Sequence, residues 1–199
     1  MNKALRIAVA DDELDMRDFF ERMLKRLGHK VVSVAENGRE LVEHCREQNP
    51  DLVITDIKMP EMDGIDAATE ICRERPVPVI LVSAHHDAAL IDRAEADSVL
   101  AYLIKPIGPD DLVPAIAIAT RRFEELQALR KETTDLRQAL ADRKVIEQAK
   151  GILMKVAAID EKTAFRRLQE LAADRNQKLI DAAASVIGIE KALRPGADR

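Results

Sequence analysis

Four apolar runs of the chain end in residues able to handle a metal ion or a phosphoryl group. The run 5–10 leads into Asp11 and Asp12, 52–54 into Asp56, 79–82 into Ser83, and 99–104 into Lys105. Three carboxylates drawn together without a cation would repel and raise each other's pKa. Such carboxylates, completed by carbonyl and water oxygens, suit a hard ion such as Mg²⁺. Lys105 would add a second positive charge and Ser83 a hydroxyl donor. Around one carboxylate these groups form a cradle for three equatorial phosphoryl oxygens, with Asp56 as the nucleophile that carries the group. The competing reading makes Asp11 and Asp12 caps of the following helix, where acidic residues are favoured anyway. Capping explains those two residues but not the polar groups at the other strand ends.

The elements that position these groups follow from the apolar spacing. Residues 5–10 read as a strand, and Leu14, Met16, Phe19, Phe20, Met23, Leu24 and Leu27 follow helical spacing up to a stop at Gly28. Residues 30–35 are a second strand. Asn37-Gly38 turns the chain into a helix through Leu41, Val42 and Cys45, which Pro50 ends. After the strand at 52–54, Asp63 is placed to cap a helix at 65–73 that turns Ile65, Ala68 and Ile71 inward. A strand at 79–82, a helix at 88–96, a strand at 99–104 and a helix from 110 onward complete the pattern. Strand and helix alternating five times predict an α/β fold, a doubly wound, flavodoxin-like parallel sheet in the order 2-1-3-4-5. Strands one and three are then neighbours, and the acidic residues converge at the switch point where such sheets bind ligands.

Composition excludes several alternatives. The 199 residues are 47% hydrophobic and 34% charged, with no apolar run long enough to span a membrane. The first ten residues run into an acidic cluster rather than a cleavage site, so a cytoplasmic protein without membrane partners is expected. Cys45 and Cys72 lack neighbours at metal spacing and read as reduced thiols. The net charge of -5 is uneven: residues 1–133 carry 18 Lys/Arg against 26 Asp/Glu, whereas residues 134–199 carry 13 against 10. Only the second part has the sign to hold a polyanion.

Past residue 119 the strand pattern disappears. Leu126, Leu129, Thr133, Leu136 and Leu140 form a coiled-coil seam two heptads long, broken by Arg143 and Glu147. This segment either packs on its own domain or pairs with its copy in a dimer. Three short helices follow. The first carries Ile146, Ala149, Ile152, Leu153 and Val156, and the second, capped around Asp160, carries Ala164, Phe165, Leu168 and Leu171. The third carries Leu179, Ile180, Ala183, Val186, Ile187 and Ile189. Gly151 lies within the first of these at a cost of about 1 kcal/mol, which something should offset, such as close approach of another helix, or of a phosphate or loop base beside Ala149 and Gly151. Phe165, at a core spacing, is expected to be buried.

Asp11-Asp12, the stretch Asp56-x-x-Met-Pro-x-Met-Asp-Gly64, Ser83-Ala84 and Lys105-Pro106 resemble the receiver domain of two-component response regulators. The resemblance implies phosphorylation of Asp56 by a sensor histidine kinase. It implies Mg²⁺ held by Asp11, Asp12, Asp56 and the backbone carbonyl of Lys58. Ser83 and Lys105 would stabilise the phosphoryl group, with Tyr102 as the aromatic switch and a cis Lys105-Pro106 bond. Where many receivers have Gly before the fifth strand, this chain has Ala96-Asp97-Ser98. His85 and His86 read as loop residues.

The run Ala149-Lys-Gly-Ile-Leu-Met154 and the apolar helices behind it resemble the ANTAR domain, an RNA-binding antiterminator module, over about residues 134–190. The resemblance implies binding to paired RNA hairpins with exposed loop bases, and DNA is not an expected partner. The basic candidates are Arg143, Lys144, Lys150, Lys155, Arg166, Arg167, Arg175 and Lys178, against the plainer reading of a solvated helical surface. Many members have Gly in the turn where Val156-Ala157-Ala158-Ile159 stands here. The expected division is a receiver at 1–120, a helical linker at 121–143 and an ANTAR-like domain at 144–199. The expected protein is a phosphorylation-controlled antiterminator that forms a phosphorylation-dependent homodimer, with no enzymatic activity beyond its own phosphoryl group. Its rivals are a regulator whose tail acts by protein contact alone, and a phosphoryl-transfer enzyme on the same scaffold.

Overall fold

The computed structural model of the protein describes residues 4–84 and 99–193. In chain order its elements are β1 (Arg6–Ala10), α1 (Leu14–Arg26), β2 (Lys30–Ala35), α2 (Gly38–Gln48), β3 (Leu52–Asp56) and α3 (Gly64–Glu74). They continue with β4 (Val79–Ser83), β5 (Val99–Ile104), α4 (Pro109–Ala157), α5 (Glu161–Asp174) and α6 (Leu179–Leu193). The helix expected at 88–96, His85, His86, the Ala96-Asp97-Ser98 segment and the last residues of the chain lie outside the described residues. The chain divides into two units, residues 1–128 and 129–199.

In the first unit the five strands form one parallel sheet in the order β2-β1-β3-β4-β5, as the alternation predicts. Side-chain alternation along β1 divides the core in two. Ile7 and Val9 pack with Phe20 and Leu24 of α1 and Leu112 and Ile116 of α4. Ala8 and Ala10 face the opposite layer, with Leu41 and Val42 of α2 and Ile65 and Ile71 of α3. Each of these large side chains contributes about 1.5–3 kcal/mol by leaving water. Leu14 departs from the expected inward set: it begins α1 and is 63% exposed.

Turn residues act as their chemistry predicts. Asn37 accepts from the Glu40 N–H to cap α2, and Asp63 accepts from the Asp66 N–H to cap α3. Asn49 ends α2 in the left-handed conformation, where Asn is tolerated. Cys45 and Cys72 are free thiols, and burial pushes the Cys45 thiol up to about 12.

In the second unit, Ala149, Leu168 and Ala183 form the buried centre, with Ile146, Leu153, Leu179, Val186 and Ile187 packed around it. The first of the three short helices is the C-terminal end of α4, which runs unbroken for 49 residues. The helix expected from 110 onward, the segment expected as a linker and the first of the three short helices are thus a single element. Two expectations fail here. A Cβ built on Gly151 would meet nothing within 4 Å, so no neighbouring helix accounts for that glycine; Ala149 is the small residue at the contact. Phe165 is 37% exposed rather than buried. The turn after α4 is made by Ala158 at φ 49°, a left-handed position held by a residue with a Cβ.

Candidate functional site

Strand register assembles the site. Ala10 pairs with Thr55, Asp56 with Val82, and Ser83 with Ile104, so Asp11, Asp56, Ser83 and Lys105 leave the sheet at one edge. The ladder continues just past the strands: Ile57 N–H donates to Val82 O at 3.0 Å and Lys105 N–H to Ser83 O at 2.8 Å. These bonds fix where the Asp56 and Lys105 side chains begin.

Lys105 holds the centre. Its Nζ lies 3.0 Å from Asp11 Oδ2, 3.0 Å from Asp56 Oδ1 and 3.3 Å from Glu13 Oε1. Asp56 Oδ2 accepts from the Lys58 N–H at 2.7 Å, which orients the carboxylate. Burial pushes both Asp11 and Asp56 above the ordinary carboxylate range, and Lys105 offsets only part of that rise. Burial also works against the Lys105 charge, but Asp11 and Asp56 reverse it and hold the ammonium above its usual pKa.

The acidic loop is not a helix cap. Glu13 occupies the cap position of α1 without a side-chain cap bond, and Asp11 Oδ1 accepts from the Glu13 N–H instead. Arg17 clamps the loop from below, its Nη1 donating to the carbonyls of Asp11 and Asp12 at 2.7 and 2.9 Å. Carboxylate oxygens of Asp11, Asp12 and Glu13 lie within 4.8 Å of one another and are positioned to coordinate a divalent metal ion. Asp11 is fully buried, and its Oδ2, although beside Lys105, lacks a hydrogen bond of proper geometry. An all-oxygen donor set with an under-satisfied buried carboxylate fits Mg²⁺. Asp56 stands outside that trio and is joined to it through Lys105. Glu13 was not among the sequence candidates; the run of three acids is the signal that pointed to it.

The loop carrying Lys58 is pinned at both ends by glycines. Gly64 N–H donates to Ile57 O at 2.9 Å, and a Cβ on Gly64 would lie 2.0 Å from Asp56 O. Gly38 N–H donates to Met62 O at 3.1 Å, and a Cβ there would lie 2.5 Å from the same oxygen. Ser83 is buried and Tyr102 half-buried against the Ala10 layer, and Lys105-Pro106 is cis.

In the second unit the basic candidates separate. Arg143, Lys144, Lys155, Arg166, Arg167, Arg175 and Lys178 are exposed. Lys150 is buried, its Nζ donating to Glu161 Oε1 at 2.6 Å and to both Glu147 oxygens at 2.9 Å.

A parallel sheet with carboxylates and a lysine gathered at one edge is an arrangement suited to holding a metal ion and a phosphoryl group, and comparison with known proteins gives the class. The chain belongs to the response regulator receiver domain family, matched over residues 7–117, and residues 134–187 match the ANTAR domain. It is 41% identical over 170 residues to the transcriptional regulatory protein PdtaR of Mycobacterium tuberculosis, covering 85% of this chain and 83% of that protein. The chemotaxis protein CheY of Thermotoga maritima is 37% identical over 112 residues, 56% of this chain and 93% of its own. The solved receiver domain protein of Clostridium thermocellum superposes with a TM-score of 0.56 at 32% identity, over 62% of this chain and 99% of that one. A receiver followed by an ANTAR domain is an architecture consistent with phosphorylation-regulated transcription antitermination through RNA binding. It implies a kinase and RNA as partners, and a receiver that accepts a phosphoryl group rather than turning over a substrate. Among the described residues no helix is long and apolar enough to cross a membrane.

Proposed function

We propose that Asp56 is the phosphoacceptor and that a sensor histidine kinase is the donor. A carboxylate oxygen of Asp56 forms the bond to phosphorus as the P–N bond of the kinase phosphohistidine breaks and the imidazole leaves. Asp11, Asp12 and Asp56, with the Lys58 carbonyl, would hold Mg²⁺, and Glu13 stands beside them. When bound, the ion neutralises phosphoryl oxygens. The single observation that carries this reading is Lys105 Nζ at 3.0 Å from both Asp11 and Asp56. That ammonium is placed to exchange a carboxylate for a phosphoryl oxygen without travelling far. Ser83 donates its hydroxyl to the same group, and Tyr102 follows its movement on β5.

The output is pairing of two chains and binding of paired RNA hairpins. Leu129, Leu136 and Leu140 are 60%, 59% and 61% exposed, an apolar seam that costs solubility in a single chain. The exposed cations among the basic candidates of the second unit supply phosphate contacts. The cytoplasm, where kinase and nascent RNA meet, is the compartment for this activity. We place the receiver at 1–120, the linker at 121–143 and the RNA-binding domain at 144–199.

The test is radiolabel transfer from acetyl phosphate, with mass and RNA binding measured before and after. Wild type is expected to take label, dimerise and bind hairpin RNA more tightly, and Asp56→Asn to take none. Full labelling of Asp56→Asn would remove the acceptor assignment. Equal mass and affinity in both states would remove the activation mechanism.

A further inference from the structure

Phe165 is the only aromatic residue between positions 134 and 199, and the fold leaves it 37% exposed. The small core of that unit closes around Ala149, Leu168 and Ala183 without it. Instead the ring lies against Lys150, whose Nζ is 5.9 Å from its centroid. Lys150 is 7% exposed and anchored to Glu147 and Glu161, so ring, ammonium and carboxylates form one fixed group across α4 and α5. Both carboxylates act to keep the ammonium charged, Glu161 most strongly.

This group lines an open concavity of about 630 Å³, bordered by Glu147, Lys150, Asp160, Glu161, Lys162 and Phe165. Asp160 is occupied as the α5 cap, accepting from the Thr163 N–H at 2.9 Å. The side chains of Glu147 and Glu161 remain 53% and 67% exposed, so the rim offers carboxylate acceptors beside an aromatic face. Phosphate is a poor match for that rim. A flat, unpaired base that donates hydrogen bonds is a good one, because single-stranded loop bases stack on aromatic rings and are read along their edges.

We propose that this concavity receives one extruded RNA loop base bearing an exocyclic amino group. The base stacks on Phe165 and donates its amino N–H to Glu161 or Glu147. Adenine, cytosine and guanine carry such a group, whereas uracil presents a carbonyl oxygen there that the carboxylates repel. Lys150 is a positioning residue: it holds the ring and the two acceptors, and Lys162 and Arg166 on α5 are left for the flanking phosphates. The proposal rests on the RNA-binding reading above and specifies one contact within it.

The test uses the full chain treated with acetyl phosphate and Mg²⁺, and an RNA pool of tandem stem-loops with randomised loops. Wild type is expected to recover loops sharing an amino-bearing base at one position. Uridine at that position weakens binding by about 10-fold or more, the lower end of one lost hydrogen bond to a charged acceptor. Phe165→Leu weakens it by about 10- to 100-fold, while Phe165→Tyr retains it and Glu161→Gln alters the base preference. 2-Aminopurine at that position is quenched by wild type and not by Phe165→Leu. If wild type recovers no RNA, the RNA-binding reading falls and this contact with it. If RNA is recovered but uridine is tolerated at every loop position, or Phe165→Leu binds equally, only this contact falls. The uridine and 2-aminopurine measurements on wild type decide the matter even if Phe165→Leu proves unstable.

Discussion

At the scale of single residues, the site is a balance between burial and one ammonium. Folding raises the pKa of Asp56, so the folded chain keeps a proton there that the unfolded chain has released. Without metal, that contribution to stability is complete below the unfolded carboxylate pKa and is lost as pH rises through the raised folded value. Asp56→Asn removes the buried charge while retaining an oxygen for Lys105. In chelator at neutral pH the variant is expected to melt a few degrees above the parent, and the gap to close as pH falls through the raised Asp56 pKa. Mg²⁺ should stabilise the parent more than the variant, and calorimetry with and without the ion reads both effects. Gly64 works differently: a methyl there meets the Asp56 carbonyl at 2.0 Å, so Gly64→Ala must displace the strand end. A loss of about 1–3 kcal/mol in urea unfolding, the usual cost of overpacking, is expected together with slower label uptake. The convergence of Asp11, Asp56 and Lys105 at one sheet edge was legible in the sequence because each ends an apolar run. Glu13 could have been read from the run of three acids, whereas Arg17 and the pinning role of Gly64 could not, since they act through the backbone geometry of loops that periodicity does not encode.

At the scale of elements, existence was readable but continuity and facing were not. The apolar period changes between the linker and the first ANTAR-like helix, which suggests a boundary; yet no Gly or Pro lies between residues 115 and 150, and the backbone continues as α4. Apolar spacing placed Phe165 and Leu14 on inward faces because it gives a direction and not the width of the buried stripe. Two substitutions test the local backbone. Ala158 sits at φ 49°, where a side chain costs about 1–2 kcal/mol and glycine nothing comparable. Ala158→Gly should therefore raise the stability of the second unit by about 1 kcal/mol after glycine's own entropy is counted, read from thermal melting. Gly151→Ala should also raise it by about 1 kcal/mol, since the added methyl meets nothing and helix propensity improves. If Gly151 is kept for close approach of RNA, the same substitution weakens RNA binding while stabilising the chain. A destabilised Gly151→Ala would show that the helix is more crowded there than its geometry indicates.

At the scale of the whole molecule, the proposed function makes charge and the pairing of two chains the route by which phosphorylation reaches RNA. The first 133 residues carry an excess of eight negative charges and the remainder an excess of three positive ones. A single RNA-binding domain with so small an excess holds few phosphates firmly, and its affinity falls further as salt rises. Pairing two chains changes the arithmetic, because the second hairpin then binds at an effective concentration set by the tether rather than by bulk protein. Such linkage raises affinity by about 10²- to 10⁴-fold when the geometry allows both sites to engage. The ratio between affinity for a two-hairpin RNA and for either hairpin alone is therefore the quantity phosphorylation should control. It is expected to be near one for the unphosphorylated chain at low concentration and to rise by at least tenfold after acetyl phosphate treatment. Leu136→Asp places a charge on the exposed seam, where Leu136 touches no core, so the monomer fold should survive. That variant should still take label on Asp56 and bind a single hairpin as wild type does, yet lose the two-hairpin advantage. Electrophoretic mobility shifts with one- and two-hairpin RNAs, run beside light scattering, separate the steps. A Leu136→Asp chain that kept the full advantage would show that the seam is not the coupling between acceptor and RNA.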